Sequence, residues 1–100
     1  MSSRPEALSE KDLQLQLSDL EGWTIDDGKL CKNFVFEDFV RAFSFMAATA
    51  LMAEKLDHHP EWSNVYNKVR VSLITHDVAK NAKPALTHLD LELARFMNSL

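Results

Sequence analysis

Cysteine, glycine and proline are scarce in this chain, and each scarcity narrows what the protein can be. Cys31 is the sole cysteine among 100 residues, which excludes an internal disulfide and a thiolate zinc site within one chain. A single thiol of this kind is typical of a reducing compartment. With two glycines and three prolines in total, each of these residues marks a specific break between elements.

A basic surface and a long apolar run are also missing. The formal net charge is −4, so we expect no direct contact with nucleic acid, whose phosphates attract basic stripes. Met1–Glu10 is polar and lacks the apolar stretch of a signal peptide. Residues 39–56 are rich in apolar side chains but include Arg41 and Glu54, which predicts a core helix and no membrane span. We therefore expect a cytoplasmic protein, with entry into nuclei left open.

The length of 100 residues suits one domain with one hydrophobic core, spanning 1–100 with a frayed lead-in over residues 1–8. A domain of this size buries a modest share of its surface alone, so we expect self-association. Apolar periodicity and breakers predict the order α-ββ-α-ββ-α. This order is typical of an α+β two-layer sandwich, with helices on one face of an antiparallel sheet.

Three segments have the caps and the spacing of helices. Ser9–Asp12 predicts a capping box that opens a short helix through Leu20. Residues 38 to about 58 are predicted to form the second helix, and Thr87–Asp90 predicts a second capping box before a terminal helix. The residues predicted to face the core are Phe39, Phe43, Met46, Ala50 and Ala53 in the second helix, and Leu89, Leu93, Phe96 and Leu100 in the third.

In two segments, apolar and polar residues alternate as they do in β-strands. Residues 23–36 predict a hairpin that turns at Asp27–Gly28 and pairs Ile25 with Leu30. Residues 62–75 alternate again, with a turn or bulge at Asn67–Lys68 left open. The inward face of this second stretch is predicted to be Val65, Val69, Val71 and Leu73.

Residues 78–85 predict a loop. Asn81 and Pro84 are the residues that break regular structure there.

The segment from Glu54 to Trp62 combines a helix end, two adjacent histidines and a proline. Glu54 precedes Asp57 and His58 by three and four residues, so a continuous helix would place the three side chains on one face. His58 and His59 lie at the helix C-terminus, where the dipole favours imidazolium. The following proline sends the two histidines in different directions.

A third histidine, His76, follows the last predicted strand. Its parity matches Arg70 and Ser72, so it is predicted to point away from the core. Histidine is the side chain best suited to proton transfer near neutral pH, and Glu54 or Asp57 could orient an imidazole. These residues therefore predict an acid–base site.

Each of these residues also has a purely structural explanation. The paired histidines could be a polar helix end, and Asp90 could be the return partner of a helix cap. Trp62 and Tyr66 could pack on the sheet or stack on a planar ligand, and packing is the commoner case. A three-histidine zinc site is disfavoured, because adjacent histidines are poor ligands for one ion. His88 is assigned no role.

The same residues match a known family. The run Glu54-Lys-Leu-Asp-His-His-Pro-Glu-Trp62, followed by Asn64-Val-Tyr-Asn-Lys-Val69 and Thr75-His76, resembles the signature of the pterin-4a-carbinolamine dehydratases. Residues 39–46 are similar to the family's central helix, and Trp23 also matches. The resemblance extends over nearly the whole chain.

The resemblance implies a four-stranded antiparallel sheet and a hydro-lyase. Family members dehydrate 4a-hydroxytetrahydrobiopterin to the quinonoid dihydropterin, so that tetrahydrobiopterin is recycled for aromatic amino-acid hydroxylases. It also implies a homodimer or homotetramer, and no metal or organic cofactor. The catalytic residues by this resemblance are His58, His59 and His76, and the supporting or lining residues are Glu54, Asp57, Pro60, Trp62 and Asp90.

Two features depart from the animal members. The connection from His76 to Asp90 is longer, by a stretch like residues 80–84, and Leu89 stands where those members have a basic residue. Animal members are also dimerisation cofactors of homeodomain transcription factors, so a transcription-factor partner or a generic interaction module are the alternative functions. Three histidines favour the enzyme, because a scaffold has no need of three imidazoles around a pocket.

None of the three histidines lies on a predicted apolar stripe. We therefore expect replacing any one of them with alanine to cost at most about 0.5 kcal/mol, as at surface positions, or slightly more where a helix-dipole contact is lost.

Overall fold

Over the residues that the structure describes, three helices and four strands follow one another in the predicted order, α-ββ-α-ββ-α. The computed structural model describes residues 4–80 and 83–100, so the predicted break at Asn81 lies outside the described residues. The elements are α1 (Glu10–Leu17), β1 (Thr24–Asp26), β2 (Lys29–Val35), α2 (Phe39–Leu56), β3 (Glu61–Val65), β4 (Lys68–Leu73) and α3 (His88–Ser99).

The strands form one antiparallel sheet in the order β1-β2-β4-β3. Leu30 lies opposite Leu73, and both are fully buried in the core that the sheet forms with α2 and α3. Asn33 lies opposite Arg70 on the other face, where both side chains are exposed. The sheet therefore has one covered face and one open face, as the α+β prediction requires.

The first hairpin turns where the sequence predicts it. Asp27 and Gly28 have φ angles of 52° and 78°, and Ile25 pairs with Leu30. Two consecutive positive φ values match the right-handed twist of the strands, which is why Asp-Gly favours this turn.

The second hairpin turns at Tyr66–Asn67, one residue earlier than the predicted position. Tyr66 has φ 51°, and Val65 pairs with Lys68 across the turn. The amide of Asn64 donates to the carbonyl groups of Tyr66 and Lys68 at 3.1 and 2.9 Å. Because the turn interrupts the alternation, Val65 is 73% exposed, whereas the sequence predicted it on the core face with Val69.

Helix α2 is apolar on more than one face, and the predicted face is not the one that packs on the core. Phe39 and Phe43 are 48% and 59% exposed. Phe45 is buried instead, and its ring centroid lies 4.5 Å from that of Phe34 and 4.9 Å from that of Phe36. Periodicity detects apolar stripes, but the neighbouring sheet decides which stripe is covered. The buried residues of α2 are Ala42, Phe45, Thr49 and Ala53, so of the predicted set only Ala53 is fully buried and Met46 is partly buried.

The inward face of α3 is likewise rotated from the predicted one. Leu93 is buried as predicted, whereas Leu89 and Phe96 are partly buried and Leu100 is 55% exposed. The buried residues of α3 are Asp90, Leu91, Leu93, Ala94 and Met97. One position of this buried stripe is occupied by the polar Asp90. A search for apolar periodicity does not detect it, because the residue is not apolar.

The described lead-in to α1 runs beside the loop that joins β4 to α3. The N–H of Ala79 donates to the carbonyl of Pro5 at 2.8 Å. Thr75 and Ala85 exchange two backbone hydrogen bonds, of 3.0 and 2.9 Å, which close the loop. The loop base therefore lies between the end of β4 and the start of α3.

Across residues 4–80 and 83–100, no helix combines the length and the apolar character needed to cross a membrane.

Candidate functional site

A cleft opens where the end of α2, the end of β4 and the start of α3 meet. Its volume is about 560 Å³, within the range of small-molecule sites. Among its lining residues are all four histidines, after which we call it the histidine cleft: His58, His59, His76 and His88.

The end of α2 separates His58 from His59. Asp57 follows the helix with a left-handed backbone, φ 51° and ψ 44°, which a short polar side chain tolerates. The N–H of His58 then donates to the carbonyl of Ala53 at 3.0 Å, closing the helix end as in a Schellman motif. The helix face predicted to join Glu54, Asp57 and His58 therefore does not form, because the chain leaves the helix before His58.

His58 is buried, with 8% of its surface exposed, whereas its position off the predicted apolar stripes had indicated a surface residue. Its Nε2 lies 2.6 Å from Oδ1 of Asp90, a fully buried carboxylate. Removing the imidazole would leave Oδ1 of a buried carboxylate without its hydrogen-bond donor, which costs about 1–3 kcal/mol or more. The small stability cost expected for alanine substitutions therefore does not apply to His58.

Asp90 joins the cap of α3 to His58. Its Oδ2 accepts the hydroxyl of Thr75 at 2.8 Å and the backbone N–H of Thr87 at 2.9 Å. Because the Thr75 hydroxyl has one proton, the Thr87 hydroxyl must donate to Thr75 across the 2.7 Å between them. The predicted capping box is thus present, and Oδ1 of Asp90 remains for the imidazole of His58.

His59 lies on the exposed side of the same turn. Its Nε2 is 2.6 Å from Oε1 of Glu54, one turn back on α2. The two side chains are 55% and 78% exposed, so the pair adds at most about 1 kcal/mol to stability. Its effect is to hold the His59 imidazole at the mouth of the cleft.

His76 is exposed beyond the end of β4, as its parity predicts. Its Nε2 lies 3.8 Å from Oε2 of Glu61, and Oε1 of Glu61 accepts a 2.8 Å hydrogen bond from Nζ of Lys29. That hydrogen bond from Lys29 is the main cause that lowers the pKa of Glu61 below its usual value. In return, the hydrogen bond to Glu61 raises the pKa of Lys29.

Of the other predicted site residues, one lines the cleft and the rest lie outside its lining. Asp57 lines it beside the histidines, whereas Asp90 lies beneath it and touches it through His58. Trp62 packs against the core from β3, in line with its structural explanation. Pro60 separates the helix end from β3, and Tyr66 is 62% exposed at the second hairpin turn.

Several residues at the site were not predicted from the sequence. Glu61 directly follows the histidine and proline run, which was the signal available for it. Thr75 immediately precedes His76, and Thr87 was recognised only as a helix cap. His88 lines the cleft and pairs with Glu92 across 3.2 Å, and Arg4 reaches the cleft from the lead-in.

The arrangement supplies three imidazoles, those of His58, His59 and His76, that each face a carboxylate, at distances from 2.6 to 3.8 Å. Such pairs hold a ring in a defined orientation and can support its charged form, which are the requirements of proton transfer. Within the part of the chain that the structure describes, no group of three or more His, Cys, Asp or Glu side chains is arranged to hold a metal ion.

Comparison with known proteins gives a consistent result. The family model described as Pterin 4 alpha carbinolamine dehydratase matches residues 6–100. A protein of Sinorhizobium fredii, provisionally named as a pterin-4-alpha-carbinolamine dehydratase, is 50% identical over 97 residues, covering 95% of this chain and 88% of its own. A Brucella ovis protein with the same provisional name is 46% identical and covers 93% of each chain.

A solved structure is similar in fold as well as in sequence. The crystal structure of a transcriptional coactivator/pterin dehydratase from Brucella melitensis superposes with a TM-score of 0.84 at 47% identity. The match covers 94% of this chain and 97% of that one.

Proposed function

The chain belongs to the pterin-4a-carbinolamine dehydratase family, and we propose that it converts 4a-hydroxytetrahydrobiopterin to quinonoid dihydropterin and water. The product would then be returned to the tetrahydrobiopterin pool that aromatic amino-acid hydroxylases use. The observation that supports this proposal best is the histidine cleft, in which His58, His59 and His76 each face a carboxylate.

The reaction needs one proton delivered and one proton removed. The bond from C4a to the hydroxyl oxygen breaks, and a proton must reach that oxygen for it to leave as water. The electron pair of the adjacent N5 forms the new C4a=N5 double bond, and N5 loses its proton to a base. The balance is the loss of one water, without oxidant or reductant. One imidazolium and one neutral imidazole are therefore sufficient.

His58 is suited to the role of base. The hydrogen bond to Asp90 places the proton of the neutral ring on Nε2, so Nδ1 is the acceptor. When Nδ1 takes a proton, the buried carboxylate compensates the new positive charge, as in other carboxylate–histidine pairs. His59 and His76 are exposed, so either can supply the acid and recover its proton from water.

The direct test is the dehydration rate of freshly generated carbinolamine with and without the purified protein. We expect acceleration by the wild type and a loss of about 10²–10⁴-fold with His58→Ala. Dialysis against a strong chelator should leave the rate unchanged. A wild-type rate equal to the uncatalysed rate would end the enzyme assignment, and a chelator-induced loss restored by zinc would end the metal-free mechanism.

We also propose that the chain self-associates as a dimer or tetramer, through the outer face of α2. Val40, Phe43 and Leu51 on this face are 68%, 59% and 76% exposed, an unusual apolar surface for a helix facing water. An apolar face of one helix is compatible with itself across a two-fold axis. Sedimentation should give at least a dimer for the wild type and a smaller species for Leu51→Glu. A monomer near 11.4 kDa at micromolar concentration would contradict this.

A second candidate function is binding to a transcription factor, favoured by the description of the Brucella melitensis structure as a coactivator. This function would use a surface and not the cleft. Binding to a purified homeodomain-protein dimerisation segment should then survive His58→Ala and be lost with Leu51→Glu. If the wild type does not bind this segment, the transcription-factor function is ruled out and only the dehydratase function remains.

A further inference from the structure

The open face of the sheet has a row of charged side chains that ends at His76. Nζ of Lys29 is 2.8 Å from Oε1 of Glu61, and Oε2 of the same carboxylate is 3.8 Å from Nε2 of His76. One oxygen of Glu61 therefore faces the lysine and the other faces the imidazole.

Lys29 and Glu61 lie on strands that are not neighbours. β4 lies between β2 and β3 in the sheet, and Glu61 pairs with Ser72 of β4. Lys29 precedes Leu30, which pairs with Leu73, so the lysine side chain crosses the end of β4 to reach Glu61. This is the end at which the chain leaves β4 toward His76. A carboxylate held from across the sheet has fewer accessible rotamers than a free exposed glutamate.

The separation between Glu61 and His76 is also informative. A distance of 3.8 Å is within ion-pair range but longer than a hydrogen bond, whereas the His58 and His59 pairs are at 2.6 Å. The His76 ring can therefore move toward or away from Glu61 without breaking a buried contact, since both side chains are about half exposed or more.

We propose that Glu61 is a positioning residue for His76, and that Lys29 fixes Glu61 in that role. The proposal rests on the dehydratase function, in which His76 exchanges a proton with the substrate. Glu61 biases the direction of the His76 ring, which keeps some freedom at a separation of 3.8 Å, without touching substrate. Removing the Glu61 carboxylate should therefore lower kcat and leave KM nearly unchanged.

A double-mutant cycle tests this coupling. We expect Glu61→Gln, which keeps the shape and removes the charge, to lower kcat on the order of tenfold, the size of typical couplings between contacting residues. In a His76→Gln background the same change should alter kcat by less than about twofold. Lys29→Met should give a smaller loss, which vanishes in the Glu61→Gln background.

Glu92 supplies a matched control, because it faces His88 at 3.2 Å in the same cleft and its exposure of 47% is close to the 48% of Glu61. Glu92→Gln should leave kcat unchanged. Thermal melts of all variants establish that they are folded. A wild-type kcat for Glu61→Gln, or an equal loss with and without His76, would overturn the proposal.

A readout that needs no activity separates this inference from the proposed function. The ring ¹⁵N resonances of His76 at fixed pH should shift with Glu61→Gln and with Lys29→Met, and stay in place with Glu92→Gln. If the wild type fails to dehydrate carbinolamine, the proposed function is lost, while these shifts still show the contact. If the enzyme is active but the His76 resonances do not shift, the positioning role of Glu61 is wrong, while the dehydratase function stands.

Discussion

The two sides of the histidine cleft are built in opposite ways. On one side, His58 is buried and bonded at 2.6 Å to Asp90, whose other oxygen accepts two further hydrogen bonds. On the other, His76 is 71% exposed and faces Glu61 at 3.8 Å across the open sheet. The first imidazole has one accessible orientation, and the second has room to adjust.

This difference suggests a division of work between the two sides. A buried pair keeps its geometry and tautomer through a reaction cycle, because any rearrangement would leave a polar group without a partner. An exposed imidazole exchanges protons with water quickly and can follow a substrate as it enters. The difference can be tested by weakening each side separately.

The largest effect is expected when both sides are removed together. His58→Ala with His76→Ala deletes the proposed base and one candidate acid, so the loss should exceed that of either single variant and go beyond about 10⁴-fold. Steady-state dehydration rates of the two singles and the double provide the measurement. A folded double variant with the parental rate would show that the histidines have no catalytic role.

A smaller but substantial loss is expected from Asp90→Asn. The amide N–H₂ would face donors that the carboxylate now accepts, and the His58 ring would lose its fixed tautomer. Activity should fall by about 10²-fold or more, and stability by about 1–3 kcal/mol. Glu54→Gln makes the same change in the exposed pair and is the control, with almost no effect on urea unfolding. Equal stability losses in the two variants would contradict the contrast between buried and exposed pairs.

Neighbouring histidines should differ in their contribution to stability. His58→Ala leaves the buried Asp90 carboxylate without its imidazole donor and should cost about 1–3 kcal/mol or more. His59→Ala removes an exposed pair and should cost no more than about 0.5 kcal/mol. Chemical denaturation of both variants at neutral pH provides the comparison, and similar midpoints would refute it.

The smallest effect concerns pH and the Lys29–Glu61 pair. The pKa of Glu61 is lowered on folding, so its contribution is present above its ordinary value of 4.5 and is lost as pH falls through the folded pKa. The pKa of Lys29 is raised, so its contribution is lost only as pH rises beyond 10.5. The difference in Tm between the wild type and Lys29→Met should therefore be small, largest near neutral pH, and absent in acid. A Tm difference between the two proteins that grows as the pH falls would contradict a stabilising Lys29–Glu61 pair.

Much of the fold follows from local signals in the sequence. Asp27–Gly28 defines the first hairpin and its register, and Thr87–Asp90 defines the start of α3. These signals succeed because the turn or cap is determined by a few adjacent residues. The covered face of α2 could not be predicted, since its several apolar stripes are equivalent until the sheet is in place.

The residues of the site divide in the same way. Glu54 and His59 are close in sequence, but helix geometry predicted His58, four residues on, as the partner of Glu54, and the pair with His59 forms because the chain leaves the helix at Asp57. The pairing of His58 with Asp90 joins residues 32 positions apart and depends on how α3 packs against α2. The left-handed backbone of Asp57, which sends His58 inward, has no signature as strong as a glycine at that position.

The double role of Asp90 links the site to a local unfolding event. One carboxylate caps the first turn of α3 and holds the His58 ring, so fraying of that turn releases the imidazole at the same moment. The free energy that opens the turn thus sets an upper limit on the fraction of molecules in which His58 is held in place. Amide hydrogen exchange at Thr87 and Asp90 would then report the fraction of molecules in which the cleft is assembled.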